Sequence, residues 1–97
     1  MRELWKCWAC GYEWFSRSNT GPKQCPQCRS YYTLPASEYR AILDDVKARM
    51  QPGEIATVTW LRTLAAILRE RGLKFRPFET LTLAAAILED LRREGWL

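Results

Sequence analysis

A small α+β chain is what these 97 residues predict: a short β-hairpin carrying two cysteine turns, then a mainly α three-helix segment. Three observations predict it. The only four cysteines fall as two identical pairs, Cys7-x-x-Cys10 and Cys25-x-x-Cys28. Between the pairs lies a β-prone aromatic run, Tyr12, Trp14 and Phe15. From residue 37 onward apolar residues recur every three or four positions, the period of an amphipathic helix. The composition changes near Leu34, which divides the chain into residues 1–34 and 35–97.

In the first segment the spacing carries the chemistry. Two residues between thiols let one tight turn aim both sulfurs at a single cation, and two such turns complete a tetrahedral shell. The chain has no histidine, so all four positions fall to Cys7, Cys10, Cys25 and Cys28. A closed set leaves no position for water or substrate, which marks a structural site rather than a catalytic one. Paired disulfides are the competing reading. A bridge across two residues is more often a redox motif, and no secretory signal precedes it. Gly11 follows the first pair, where the turn needs a positive φ or close approach to sulfur. Pro26 sits inside the second pair and presets φ there. Ser16 to Pro22 turns the chain back toward Cys25. So small a unit buries little, and metal binding is expected to supply much of its folding free energy.

Trp5-Lys6-Cys7-Trp8-Ala9-Cys10-Gly11-Tyr12 with Pro22-Lys23-Gln24-Cys25-Pro26-Gln27-Cys28 resembles the rubredoxin-like zinc ribbon, a pattern also found in the iron-binding tail of rubrerythrins. The resemblance covers the first third of the chain. It implies two metal-binding knuckles joined by a hairpin and a nucleic-acid or protein contact role. One departure stands out: rubredoxins carry glycine after the second pair as after the first, and here Arg29 takes that place. One zinc ion is the expected cofactor, ahead of iron, although softness does not separate the two in a four-thiolate cage.

Three helices follow. Tyr31 to Ala36 reads as a link, with Ser37 as N-cap of a first helix over about 37–50 whose Tyr39, Ile42, Leu43, Val46 and Met50 share a face. Gln51-Pro52-Gly53 stops it. Residues 54–58 read either as a short strand or as the next helix's first turn. The second helix spans about 57–71 and ends at Gly72, the third about 79–94 and ends at Gly95. Leu73 to Phe78 reads as a connector. On the second helix Val58, Leu61, Ala65 and Leu68 form one stripe, and Trp60, Leu64 and Ile67 another.

The apolar faces of the second and third helices are wider than a core-facing helix requires. Either the ribbon's aromatics cover the excess or another subunit does. A homodimer is expected, with Leu81, Ala85 and Leu88 at its interface.

Charge points to the partner. Of a net +4, residues 1–36 carry +3, from Arg2, Lys6, Arg17, Lys23 and Arg29 against Glu3 and Glu13. Lys6 and Arg29 flank cysteines and neutralise the thiolate cage. Arg17 and Lys23 stand farther off. Together with Arg29, and with Tyr12 or Trp14 as a stacking face, they form the expected contact surface. The leading function is therefore a small regulatory module contacting nucleic acid through its basic ribbon. A protein–protein adaptor using ribbon and apolar helices, without nucleic acid, is the alternative, and a rubredoxin-like electron carrier a third.

Leu64-Ala65-x-x-Leu68-x-x-x-Gly72 and Leu88 to Leu97 also resemble the last helices of winged-helix repressors. However, the Gly72–Glu79 connector exceeds a helix-turn-helix turn, and residues 79–86 offer little polar reach to base edges. An enzyme is not expected, because no histidine, free cysteine or glycine-rich phosphate loop is present. Asp44-Asp45 and Glu89-Asp90 read as solvated faces beside basic residues. No apolar stretch reaches membrane-spanning length and no signal pattern opens the chain, so a cytoplasmic location is expected.

Overall fold

The structure is a computed structural model that describes residues 3–16, 24–54 and 58–96. Its order is β1 (Glu3–Cys7), β2 (Glu13–Ser16), β3 (Thr33–Pro35), α1 (Ala36–Arg49), a 3-10 turn (Pro52–Glu54), α2 (Val58–Glu70) and α3 (Pro77–Arg93). A small α+β chain results, with an antiparallel sheet first and helices after it. The chain divides into two compact units, Met1–Arg40 and Ala41–Leu97. The division falls inside α1, a few residues beyond the change in composition near Leu34.

The first unit holds a three-stranded sheet ordered β2-β1-β3. The hairpin register pairs Leu4 with Phe15, Trp5 with Trp14 and Lys6 with Glu13. The third strand corrects the reading of residues 31–36 as a link: Leu34 pairs with Lys6, and Thr33 with Cys7. Three residues are too few to show an alternating pattern, and a proline normally speaks against a strand. Pro35 is accommodated because it ends an edge strand, where its missing N–H interrupts no ladder. The strand runs directly into α1, so Ser37 lies in the helix's first turn rather than at its cap. Lys6 places its ammonium 4.7 Å from the centroid of the buried Tyr39 ring, a cation–π contact that links β1 to the start of α1.

In the second unit the later turns of α1 bury Ile42, Leu43 and Val46, as the helical period predicts, and Met50 just beyond its end is buried with them. Arg71 donates to Asp45 at 2.8 Å, Lys47 pairs with Glu94 at 2.7 Å, and Arg49 pairs with Glu70. The adjacent acids are thus not merely a solvated face; Asp45 ties α1 to the segment after α2.

Of the two apolar stripes on α2, the core takes Trp60, Leu64 and Ile67, with Leu68 beside them. Val58 stays 69% exposed. From α3 the core takes Leu83, Ala84, Ile87 and Leu91. The expected interface residues Leu81 and Ala85 are exposed and Leu88 is half-buried.

Both stop signals act as read. Leu73 N–H donates to Leu68 carbonyl and Trp96 N–H to Leu91 carbonyl, each closing a helix beyond a glycine. The start of α3 is a correction. Pro77 and Phe78 belong to it rather than to the connector, because proline suits a helix's first position and Arg76 N–H donates to Glu79 Oε1 at 3.4 Å.

Candidate metal centre

Two turns of matching geometry build the site. In the first, Cys7 N–H donates to Tyr12 carbonyl at 2.9 Å and Gly11 N–H to Cys7 carbonyl at 2.8 Å. In the second, Cys25 N–H donates to Ser30 carbonyl and Arg29 N–H to Cys25 carbonyl, both at 2.9 Å. The bonds fall at identical offsets from the first cysteine of each pair. The backbone must therefore reverse at the same place, and it does: Gly11 has φ 83° and Arg29 has φ 62°. Glycine reaches that region without strain, whereas the Cβ of arginine is crowded there.

One further bond holds Arg29 in place. Gln24 donates its side-chain amide to Arg29 carbonyl at 2.9 Å. Replacing Arg29 by glycine removes the Cβ clash but frees the unfolded chain, so a net gain of about 0.5–1 kcal/mol in ribbon stability is expected. Chemical denaturation of the metal-loaded protein checks it; equal or lower stability counts against strain at this position.

The turns converge all four sulfurs. Their atoms lie within 4.8 Å of one another. Cys7 Sγ is 3.6 Å from Cys28 Sγ, and Cys10 Sγ is 3.6 Å from Cys25 Sγ. A tetrahedral cage with metal–sulfur bonds of about 2.3 Å has sulfur–sulfur edges of roughly 3.8 Å, so the set fits one ion. In each pair the first cysteine is buried and the second exposed. Four cysteines could therefore hold a metal ion at one end of the sheet, anchored by the last residue of its central strand β1. With four soft donors and no fifth ligating group among the described residues, the arrangement suits holding an ion.

Ser30 is the residue that sequence reasoning missed. Its hydroxyl lies 3.5 Å from Cys7 Sγ and 3.3 Å from Cys28 Sγ, one sulfur from each pair. Tyr32 N–H donates to the same oxygen at 3.4 Å, leaving the hydroxyl proton for sulfur. The serine hydroxyl and then its backbone amide hold the Cys28 thiol down to about 6. Cys10 is pushed up to about 12, chiefly by loss of water around its sulfur, and further by the neighbouring thiols. The only advance signal was a small polar residue after the second pair. Tyr32 also braces the first turn: its carbonyl accepts from Trp8 N–H at 3.0 Å, and its ring stacks on Trp8 at 5.6 Å.

Around the cluster, Arg29 is exposed. Tyr12 is 39% exposed and stacks on Trp14 with centroids 6.0 Å apart, so each covers one face of the other. Phe15 and Tyr31 are open to solvent at 62% and 59%, outside the expected stacking set. Arg17 and Lys23 lie outside the described residues.

Compared with protein-family models, curated proteins and solved structures, the chain matches none. What the fold and the site define is a small α+β chain with a candidate four-cysteine metal centre. The winged-helix resemblance gains no support. Six residues separate α2 from α3, and the first half of α3 turns Leu83 and Ala84 into the core. No helix among the described residues is long and apolar enough to cross a membrane.

Proposed function

We propose that this chain is a metal-binding module whose ribbon holds one structural zinc through Cys7, Cys10, Cys25 and Cys28 and contacts single-stranded nucleic acid. The observation that supports it is that an aromatic ring and a cation, one at the end of each cysteine turn, both reach solvent on one small unit. Tyr12 leaves the first cysteine turn partly exposed, and Arg29 ends the second turn exposed to solvent. Stacking on aromatic faces together with a few phosphate contacts is how sequence-tolerant single-strand binding works. Arg17 and Lys23 add the further charge. Zinc here holds the two turns together; the surface does the binding.

The test uses zinc-loaded protein and a fluorescent single-stranded oligonucleotide across a salt series. The double variant Arg17→Glu, Lys23→Glu is expected to keep its zinc and its fold and to bind more weakly. Without these two phosphate-binding cations, the slope of log affinity against log salt becomes shallower by about 1.4. Unchanged affinity in that variant moves the reading to a protein adaptor. A red protein with thiolate-to-iron absorption moves it to an electron carrier.

A further inference from the structure

The two stripes on α2 part company in the fold, and all but Leu68 of the one that begins at Val58 stays out of the core, beside a groove. Two depressions of about 340 and 380 Å³ lie along α2, the connector and the start of α3. They share Ala65, Phe75 and Thr80 and so run together. The wall on the α2 side is Leu61 and Ala65, with exposed Val58 one turn before them. On the α3 side Pro77 and Leu81 line it. Phe78 at 51%, Leu81 at 55% and the exposed Ala85 continue an apolar line along that helix.

Charge at the groove is one-sided. Arg69 and Lys74 line its polar end, and Arg62 stands two turns earlier on the exposed side of α2. None of the three has an ion-pair partner among the described residues. The carboxylates on the same elements are all engaged: Glu70 by Arg49, Glu89 and Asp90 by Arg93, and Glu79 at the α3 cap. An apolar trough between two helices accepts anchors spaced at i, i+3 or i+4, and i+7 from a third helix. A second copy docked about a twofold axis through this groove would bring the same cations to both sides of it and no unengaged carboxylate from α2 or α3. An acidic occupant meets complementary charge instead.

We propose that the groove between α2 and α3 receives an amphipathic helix of a partner protein whose apolar stripe is flanked by acidic residues. Leu61, Phe75 and Leu81 seat the stripe, and Arg69 and Lys74 set the preference for acidic flanks. The assignment goes beyond the ribbon's nucleic-acid reading and stands independently of it, since it rests on residues 58–85 alone.

The experiment titrates the zinc-loaded 97-residue chain with a helix-forming peptide carrying leucines at i, i+4 and i+7 and glutamate flanks. A twin peptide carries lysine flanks. The acidic peptide is expected to bind at least about tenfold more tightly than its twin, with the preference shrinking at high salt. Leu81→Asp, at an exposed site, is expected to abolish binding with the circular dichroism spectrum unchanged. The double variant Arg69→Glu, Lys74→Glu is expected to reverse the preference toward the lysine peptide, which no folding defect imitates. Equal binding of the twins, or of neither, overturns the proposal. So does a concentration-dependent dimer that Leu81→Asp dissolves, because a second copy then fills the groove. Nucleic-acid affinity is read separately and stays unchanged in both variants.

Discussion

Stripping the metal with a strong chelator, or replacing Cys25 by serine, is expected to unfold the ribbon while α2 and α3 keep their helical signal. Cys25 is fully buried, and the unit around it has little else to hold it together. Beyond the sulfurs, its hydrophobic interior among the described residues amounts to Trp8, Leu34 and Tyr39. Zinc in comparably small modules contributes about 10–16 kcal/mol of apparent binding free energy at neutral pH, which for so small a core is the folding free energy. Amide dispersion from Leu4, Trp14 and Thr33 should therefore collapse on demetallation and return on adding zinc. Dispersion retained after complete demetallation would falsify the structural role of the metal.

The same centre carries a pH dependence whose sign follows from two thiols. Zinc takes thiolates, so every proton still on the cluster must leave when the metal binds. Between the values of about 6 for Cys28 and about 12 for Cys10, the Cys10 proton at least is displaced. Affinity therefore falls at least about tenfold for each unit of acidification across that range. Below about 6 the Cys28 proton competes as well, and the fall steepens. Competition with a chromophoric chelator between pH 6 and 8 measures it; a flat profile would show that the cluster is already deprotonated without metal.

The second large effect separates two leucines that sit two residues apart. Leu83→Ala is expected to cost about 2–5 kcal/mol, because Leu83 is fully buried and its removal leaves a cavity in the core of the second unit. Leu81→Ala is expected to change stability by no more than about 0.5 kcal/mol, since Leu81 is 55% exposed. Parallel urea titrations compare them directly. Similar destabilisation by both would mean that the Leu81 face is covered in solution, as the expected homodimer requires.

Particular residues show why parts of this fold are legible in the chain and others are not. Cysteine pairs at fixed spacing, a glycine after a helix and an apolar residue every third or fourth position are local signals. Each acts through the turn or helix that contains it. The four-sulfur cluster, the ends of α2 and α3 and the buried face of α1 can be read from such signals. The start of α3 is local too, written in Pro77 and Glu79, but the two aromatics around it give that stretch the look of a connector.

Other features belong to no single stretch. Thr33–Pro35 becomes a strand only because β1 offers it a free edge. Ser30 reaches one sulfur of each pair only after the two turns have converged, so nothing within its own neighbourhood announces it. Arg29 adopts a glycine's conformation because the hydrogen bonds of its turn demand that reversal, whatever the side chain prefers. On α2 both apolar stripes are visible in the sequence with nothing to rank them. The sequence by itself determined the cluster of four cysteines, the order of hairpin and helices and the points where α2 and α3 end, since these follow from spacing along one backbone. Tertiary structure alone decided that Trp60, Leu64 and Ile67 enter the core while Val58 and Leu81 stay outside it. A helix surrounded by apolar residues carries no mark of which side its neighbours will occupy; only packing against α3 makes that choice.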